Sequence, residues 1–461
     1  MKALLINPST SNNSYQYTKL PPLGLIYLAA CLRQSGNDVR IVDGQFSRNI
    51  MQDIKHEIQT YAPEVVGVSV LTPYANDAAA ILDTAKKMNN RITTIIGGVH
   101  ATIFPDDLCS HESVDYVVRG EGEITFPELL SCIEEGKDPS TVDGIAYSRN
   151  GDTVLTKQRE YIEPLDVLPM PAYDMLQVGR YESSQLSVKP IISMITSRGC
   201  PYHCIYCDAN IVMGRKFRAH SPERTVDEIL YLKRHFGIRE IIFKDSEFTL
   251  NKNRVREICE LILKKELDIL WTCNSRVGSV DPALLRIMKK AGCRVIQYGV
   301  ESGDQAILER LKKNITIDEI RSSFNDTHRA SIKTVANLMV GNPGESRETV
   351  ARTMDLVKEI KADYINVSYI TPFPGTELYK MAKLEKWFID PLEEIGRDTG
   401  KCIMNATKMS TKELRKKLNL IYRKFYFRPG YIFKRILTSS PFEWKMNIIG
   451  LLRILSKSTK D

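Results

Sequence analysis

The chain has 461 residues, of which 43% are hydrophobic and 26% are charged, and these values are typical of an ordinary globular protein with two or three domains. No uninterrupted apolar run is long enough to span a bilayer, and the N-terminal MKALLINPST lacks the cleavage site of a signal peptide, so we expect a cytoplasmic protein. Ten cysteines over this length exclude a secreted disulfide scaffold and favour metal binding or catalysis where they cluster.

Residues 1–146 alternate short apolar strand patterns with helix patterns. The strand candidates are ALLINP, DVRIVDG, EVVGVSV, RITTIIGG and YVVRG. Strands that alternate with helices predict a parallel, doubly wound α/β sheet whose ligands bind beyond the carboxyl ends of the strands. The first turn between strand and helix lacks G-x-G-x-x-G and the Walker A pattern, so neither NAD nor ATP is the expected ligand.

Residues 147–186 combine a hairpin pattern, with its turn at Asn150–Gly151, and a proline-punctuated linker. A second series of strand candidates follows in residues 187–400, with the sequences IISMITS, EIIFKD, DILWTCNS, RVIQYGV, TVANLMVG and YINVSYI. These βα units are too few for a closed eight-unit barrel. The pattern therefore predicts a partial (β/α)6 barrel with its reactive groups at the carboxyl ends of the strands.

Residues 401–461 form a basic tail with a mainly helical pattern. The tail carries fifteen Lys and Arg against three Asp and Glu, a net charge of +12 that leaves −4 for the rest of the chain. Two interpretations stay open: a helical cover over the open side of the barrel, or an amphipathic segment in peripheral contact with an anionic membrane surface. No RNA-binding module accompanies the charge, so no nucleic-acid partner is expected.

Three cysteines are grouped in TSRGCPYHCIYCDAN, directly after the first strand of the predicted barrel. Cys200, Cys204 and Cys207 form a C-x3-C-x2-C array, and thiolates this close together on one loop can reach several irons of one cube. Three ligands for four irons leave one iron open. A zinc site with His203 as the fourth ligand is the alternative, but His203 adjoins Cys204, which makes joint tetrahedral coordination awkward. The array predicts a 4Fe–4S cluster.

The array resembles the hallmark of the radical S-adenosylmethionine (SAM) superfamily, C-x3-C-x-aromatic-C, with Tyr206 in the aromatic position. The resemblance implies that SAM binds the open iron and is cleaved reductively to a 5′-deoxyadenosyl radical, with an electron donor such as flavodoxin or ferredoxin. It also implies SAM contacts after the later strands, in KDSEFTLN, CNSRVGSVD, QYGVESGD and LMVGNPGES. The residues concerned are Asp245, Glu247, Ser275, Arg276, Glu301, Ser302 and Gly341.

Glycines and small polar residues mark the strand ends of the N-terminal sheet, in SVLTPYAND, IIGGVHATIFPD and VVRGEGEITF. Paired glycines allow a large planar or phosphate-bearing ligand to approach the backbone closely. These segments resemble the cobalamin-binding domain that is fused to radical SAM barrels in the anaerobic magnesium-protoporphyrin monomethyl ester cyclases and the hopanoid-associated group. The resemblance implies cobalamin contacts at Ser69, Leu71, Thr72, Gly97, Gly98, His100, Ala101, Thr102, Gly120, Glu121 and Gly122.

One motif of cobalamin proteins is missing. The D-x-H-x-x-G sequence that supplies a histidine to cobalt in methionine synthase is replaced, after Val42, by DGQFSRN. The resemblance therefore implies cobalamin without that axial imidazole, and we interpret His100 as a loop residue beside the corrin and not as a cobalt ligand. A Rossmann-like domain that binds nothing is the alternative.

The pairing of these two domains implies a cobalamin-dependent radical SAM enzyme that methylates an unactivated carbon of a small or lipid-like substrate. One alternative is an oxidative cyclase or rearrangement enzyme that uses the same radical without methyl transfer. A non-catalytic cobalamin- or metal-sensing protein is an alternative of another class. A tRNA methylthiotransferase is disfavoured, since that family carries further N-terminal cluster cysteines and a terminal RNA-binding module.

Overall fold

The N-terminal unit is built on one mostly parallel sheet with helices on both faces. The computed structural model describes residues 1–8, 19–183, 188–390 and 401–438. The strands of this unit are β1 (Lys2–Asn7), β2 (Asp38–Asp43), β3 (Val65–Ser69), β4 (Thr93–Gly97), β5 (Tyr116–Val118), β6 (Ile145–Arg149) and β7 (Asp152–Leu155). Its helices are α1 (Leu23–Gln34), α2 (Ile50–Tyr61), α3 (Ala75–Met88), α4 (Val99–Ile103), α5 (Pro105–Cys109) and α6 (Gly122–Glu134).

The strands of this sheet are ordered β2-β1-β3-β4-β5-β6-β7, and the first five run parallel. The order reverses at β1, and such a reversal leaves a crevice for ligands outside the carboxyl ends of the strands. Leu4 and Ile6 pack on one face and Ala3 and Leu5 on the other, because successive side chains of a strand alternate. Burial on both faces explains the continuous apolar runs, and the predicted doubly wound fold is confirmed.

The predicted hairpin is present and belongs to this sheet. Asn150 (φ 56°) and Gly151 (φ 87°) turn the chain between the antiparallel strands β6 and β7. Because β6 pairs antiparallel with β5, the hairpin lengthens the N-terminal sheet by two strands. The linker begins only after the hairpin, and the predicted linker residues 184–186 lie outside the described residues.

The second unit contains a six-stranded parallel sheet and a short ribbon. The parallel strands are β8 (Ile191–Met194), β11 (Glu240–Phe243), β12 (Leu270–Ser275), β13 (Cys293–Glu301), β14 (Lys333–Val340) and β15 (Tyr364–Tyr369). The ribbon strands are β9 (Ser197–Arg198) and β10 (Arg218–Ala219). The helices are α7 (Ala209–Met213), α8 (Pro222–Phe236), α9 (Lys252–Lys264), α10 (Pro282–Lys290), α11 (Gln305–Arg310), α12 (Ile317–Arg329), α13 (Arg347–Glu359) and α14 (Glu377–Leu384).

The parallel strands lie side by side in chain order, from β8 to β15, as expected for a partial (β/α)6 barrel. Helix starts along the barrel are capped by side chains: Ser221 accepts a hydrogen bond from Arg224 N (3.1 Å), and Asp281 accepts one from Leu284 N (2.9 Å). These caps fix where the two helices begin. The carboxyl ends of the strands share one face because neighbouring strands are parallel. Residues 391–400, at the end of the predicted barrel segment, lie outside the described residues.

The described part of the basic tail packs on the barrel. It forms α15 (Thr411–Tyr426) and α16 (Pro429–Thr438), and α15 buries Leu414 and Phe425 in the barrel core. Tyr422 Oη accepts a hydrogen bond from the backbone N–H of Val367 at 2.9 Å, so α15 covers the free edge of β15. The apolar segment MNIIGLLRIL of the tail lies outside the described residues. Within the described ranges, no helix is long and apolar enough to cross a membrane.

Candidate functional site

The cysteine loop is a long excursion closed at its base by the ribbon of β9 and β10. Gly199 begins the loop with φ +83°, and a Cβ atom there would lie 2.0 Å from the carbonyl oxygen of Lys216, so only glycine fits. The backbone N–H of Cys200 donates to Gly214 O at 3.2 Å, and that of Cys207 donates to Cys204 O at 3.2 Å. The loop therefore holds all three cysteines of the array after the first barrel strand.

The three thiols are free and half-buried. Burial raises the pKa of the Cys207 thiol to about 11 and raises that of Cys200. Both groups are thiols at neutral pH without metal, and since iron binds the thiolate, loading the site releases protons. The donor set of three cysteines on one loop thus fits a 4Fe–4S cluster, with Cys200, Cys204 and Cys207 as the residues that would hold it.

Zinc fits this loop less well. Within the described residues, no three His, Cys, Asp or Glu side chains converge on the position of a single metal ion. A zinc site needs such convergence, whereas the cysteines of a cube bind different irons. The exposed His203 contacts the Arg215 guanidinium through Nδ1 at 2.6 Å, so its ring is turned to a surface neighbour.

A buried polar cluster adjoins the cysteine loop. Tyr206 Oη donates to Glu301 Oε1 at 3.0 Å, and Lys313 Nζ donates to the same oxygen at 2.8 Å. Glu301 has φ +63°, a left-handed conformation in which β13 ends. The structure therefore brings the predicted residues Tyr206 and Glu301 together and adds Lys313, which no sequence pattern indicated.

Ser275 ends β12, and Arg276 directly follows it. The Arg276 guanidinium lies 3.8 Å from the ring centroid of Tyr202 in the cysteine loop, and it donates to Asn314 O at 2.8 Å. Ser275 Oγ lies 2.7 Å from Thr249 Oγ1, which in turn donates to Glu247 Oε1 at 2.6 Å. Burial raises the pKa of Glu247.

Two other predicted SAM contacts, Asp245 and Ser302, form hydrogen bonds with neighbouring protein groups. Asp245 is fully buried, and its carboxylate accepts hydrogen bonds from Thr196 (Oγ1 to Oδ1, 2.7 Å) and from Ser197. Ser302 is fully buried and lies 3.3 Å, oxygen to oxygen, from Thr353. Their contact with SAM stays a prediction.

Gly341 ends β14 with φ +87° and donates its N–H to Glu345 Oε2 at 2.6 Å. Burial raises the pKa of Glu345 to about 7, so at neutral pH its carboxyl is partly protonated. The side chain of Asn342 donates to the other oxygen of Glu345 at 3.0 Å. These contacts fix the loop after β14 at the same face as the cysteine loop, and its contact with SAM stays a prediction.

The second part of the site is a cavity of about 380 Å³ between the two units. On the N-terminal side it is lined by the predicted residues Ser69, Leu71, Gly97, Gly98, Gly120, Glu121 and Gly122. On the barrel side it is lined by Ile195, Arg198, Val212, Met213 and Lys244. Because Val212 and Met213 belong to α7 of the cysteine loop, the cavity joins the glycine-marked sheet edge to that loop.

Glycine at the sheet edge avoids clashes that a side chain would make with neighbouring protein atoms. A Cβ atom on Gly98, which has φ +108°, would lie 2.8 Å from Val70 O. Gly67 is similarly crowded, with Leu5 and Phe126 carbons within 3.2 Å of the Cβ position. An apolar, glycine-lined cavity at the carboxyl edge of a parallel sheet fits a large planar ligand such as cobalamin.

Four predicted cobalamin contacts lie behind this wall and do not line the cavity: Thr72, His100, Ala101 and Thr102. Thr102 Oγ1 donates to Gly98 O (2.8 Å) and accepts from Gly120 N (2.9 Å), so it ties the two glycine loops together. His100 Nδ1 lies 3.3 Å from Thr72 Oγ1, and burial lowers the pKa of His100. Direct contact of these residues with cobalamin stays a prediction.

A buried ion network crosses between the two units at the cavity wall. Arg198 contacts the carboxylates of Glu121 (Nη1 to Oε1, 3.0 Å) and Glu123, and Arg218 contacts Glu121 (Nη1 to Oε2, 2.9 Å). Burial works against the charge of Glu121, but the two guanidinium groups hold its pKa below the ordinary value. The sequence offered no signal for this pairing, because its partners lie more than seventy residues apart.

Comparison with known proteins decides the family. Residues 194–357 match the radical SAM superfamily, and residues 15–130 match the B12 binding domain. An uncharacterized methyltransferase of Pyrococcus horikoshii is 33% identical over 98% of this chain and 98% of its own length. The chain belongs to the radical SAM superfamily. Within the superfamily it carries the N-terminal B12-binding domain that the sequence predicts.

Two further proteins are similar to this radical SAM enzyme. The anaerobic magnesium-protoporphyrin IX monomethyl ester cyclase of Rubrivivax gelatinosus is 29% identical, over 94% of this chain and 78% of its own. The radical SAM methyltransferase TsrM of Kitasatospora setae, solved with cobalamin and a 4Fe–4S cluster, superposes with a TM-score of 0.74 at 18% identity. That match covers 93% of this chain and 89% of TsrM and shows the shared fold. The cofactors of the radical SAM enzyme are a 4Fe–4S cluster, SAM and cobalamin.

Proposed function

We propose that this radical SAM enzyme transfers a methyl group to an unactivated carbon of a small-molecule substrate. The observation that carries the proposal is the cavity that runs from the glycine-lined edge of the N-terminal sheet to α7 of the cysteine loop. The cavity therefore joins the sheet edge that fits cobalamin to the loop that fits the cluster. Two relatives named as methyltransferases, over nearly the whole chain, support the same reaction.

Residues of the two units have separate roles in the proposed reaction. When bound, the cluster supplies the electron that cleaves SAM to a 5′-deoxyadenosyl radical, and cobalamin supplies the methyl group. Cys200, Cys204 and Cys207 would hold the cluster. Glu301 and Arg276, which contact Tyr206 and Tyr202 of the cysteine loop, would bind the amino and carboxylate groups of SAM. The ion network of Arg198 fixes the two units against each other, so both sites face one cavity.

The cavity also excludes water from the site. Its lining consists mainly of glycine and aliphatic or aromatic side chains, such as Leu23, Val99 and Phe126. Such a lining keeps bulk water away from the reacting groups.

The experiment uses holoenzyme reconstituted anaerobically, reduced, and supplied with SAM that is deuterated in its methyl group and with a metabolite extract of the producing cells. Mass spectrometry should find a product that has gained one labelled methyl group, only when reductant is present. Cys204→Ala should abolish this product, and Cys402→Ala, a cysteine outside the array, should not. Absence of any labelled product would contradict the proposal.

Oxidative cyclisation is the second candidate, favoured by the similarity to the cyclase of Rubrivivax gelatinosus. The same assay separates the two reactions. A cyclase forms 5′-deoxyadenosine and a product that has lost hydrogen, without the label. A cobalamin-sensing protein forms neither.

The described part of the C-terminal tail covers one edge of the barrel sheet. We infer that residues 411–426 shield the edge of β15, because their apolar side is buried there. Peripheral membrane contact is a separate proposal for α16, whose Phe433 and Leu437 side chains are 65% and 68% exposed. Cosedimentation with anionic vesicles tests it; a chain that stays in the supernatant would exclude it.

A further inference from the structure

Lys244 is a charged residue on the cavity wall that the cofactor assignments leave unused. It directly follows β11, and its N–H donates to Met194 O at 2.7 Å, so the pairing of β8 with β11 continues through it. Its side chain lines the interdomain cavity. Among the described residues, no carboxylate pairs with its ammonium group, and burial is the single influence that lowers its pKa.

The direction of the Lys244 side chain follows from strand alternation. Phe243 packs with Phe248 and Trp271 in the core beneath the barrel helices. Ile242 points to the opposite side of the sheet, where it packs against Ile191. Because alternate side chains share a face, Lys244 points with Ile242, away from the helices. The Lys244 side chain is exposed to the space of the cavity, and its partial burial between the cavity walls lowers its pKa.

The other charges of the cavity wall cancel one another. Glu121, Glu123 and Arg198 line the cavity and, together with Arg218, form a network of two carboxylates and two guanidinium groups. Lys244 therefore gives a mainly apolar cavity a net positive charge. An unpaired ammonium group on an apolar wall can form a charge-assisted hydrogen bond with an anion that enters the cavity.

The position of Lys244 in the cavity indicates which molecule carries that anion. The neighbouring wall residues Ile195 and Met213 belong to the barrel and the cysteine loop, whereas Gly97 and Gly98 form the facing sheet edge. Lys244 thus faces, across the cavity, the glycine-lined edge that fits cobalamin, and a substrate beside Lys244 would lie between that edge and the cysteine loop. We propose that Lys244 binds an acidic group, a carboxylate or a phosphate, of a substrate whose remaining surface is apolar. The proposal rests on the proposed function and names the substrate class of that same site.

The role of Lys244 is to bind and orient, and it transfers no atom. A charge-assisted hydrogen bond to the acidic group fixes one end of the substrate, and the apolar lining receives the remainder. Fixing one end restricts which carbon faces the two cofactors. Loss of the ammonium group should therefore weaken binding and relax the choice of carbon.

The test measures binding to cobalamin- and cluster-loaded enzyme with SAM and without reductant, by isothermal titration calorimetry. The probes are octanoate and octyl phosphate, each compared with uncharged octanamide. Wild-type enzyme should bind at least one of the anionic probes about tenfold or more tightly than octanamide. In Lys244→Met this preference should vanish, and in Lys244→Arg it should persist. The matched control is Lys265→Met, a lysine on the surface that pairs with Asp227 at 2.8 Å, and it should behave as wild type.

Three outcomes would overturn the proposal. The first is a wild-type enzyme that does not discriminate between the anionic probes and octanamide. The second is an undiminished preference in Lys244→Met. The third is loss of cobalamin from Lys244→Met but not from Lys265→Met, seen in the visible spectrum, because the ammonium group would then bind the cofactor. A reduced enzyme that forms no 5′-deoxyadenosine contradicts the proposed function, whereas the calorimetric preference is decided without turnover.

Discussion

The buried ion network between the two units predicts a large and specific loss of stability in Arg198→Met. The Arg198 side chain is 8% exposed, and its partners Glu121 and Glu123 are each 7% exposed. Removing the guanidinium group leaves Glu123 without its cationic partner in a buried position, while Glu121 keeps Arg218. Breaking a buried pair by removing one partner costs about 3–5 kcal/mol, so the free energy of unfolding should fall by that amount.

Urea unfolding of the cofactor-free protein, followed by tryptophan fluorescence, measures this loss. Adding Glu123→Gln to Arg198→Met removes the stranded carboxylate, and the double variant should be at least about 1.5 kcal/mol more stable than the sum of the single effects predicts. The matched control is Arg33→Met: Arg33 pairs with Asp174 at 2.7 Å, but the two side chains are 48% and 49% exposed. Its loss should cost less than about 1 kcal/mol. An Arg198→Met protein within about 1 kcal/mol of wild type, or strictly additive variants, would refute this reasoning.

Three further predictions concern single residues. Gly98→Ala places a Cβ atom 2.8 Å from Val70 O, so the amount of cobalamin retained after gel filtration should fall about tenfold. The iron content should stay unchanged. Full retention of cobalamin would count against the cavity as the cobalamin site. Burial lowers the pKa of His220 to about 4, so the unfolded chain takes up a proton first and stability should decline by up to about 3 kcal/mol from pH 7 to pH 4. His220→Gln should reduce that slope in urea unfolding at several pH values, and an equal slope would show that His220 does not cause it. Glu301→Gln weakens the hydrogen bonds from Tyr206 and Lys313, and SAM affinity in equilibrium dialysis should fall about tenfold; unchanged affinity would remove Glu301 from the SAM site.

Much of the fold was predictable because both units are built mainly on parallel strands that alternate with helices. Each such strand appears in the sequence as an apolar run bounded by helix patterns. The number of strands and their order along the chain could therefore be predicted. The hairpin turn was also visible, since Asn150 and Gly151 both adopt positive φ. Its membership of the N-terminal sheet was not visible, because pairing of β6 with β5 is a tertiary contact.

Site residues were predictable where their spacing along the chain identifies the ligand that they bind. They were less predictable where their role depends on the direction of the side chain. All three cysteines of the array lie on one loop, so their spacing alone indicated the type of ligand. Asp245 and Lys244 are neighbours at one strand end, and alternation turns the first toward Thr196 and the second into the cavity. Sequence reasoning selected Asp245 and passed over Lys244, because strand-end position does not distinguish the two directions.

The central claim is that three cysteines of one loop carry the cluster that cleaves SAM. The most direct measurement is formation of 5′-deoxyadenosine by anaerobically reconstituted, reduced enzyme supplied with SAM. Wild type and Cys402→Ala should form it, and Cys207→Ala should form none. A wild-type enzyme that forms none, or a Cys207→Ala variant that forms as much as wild type, would contradict the account.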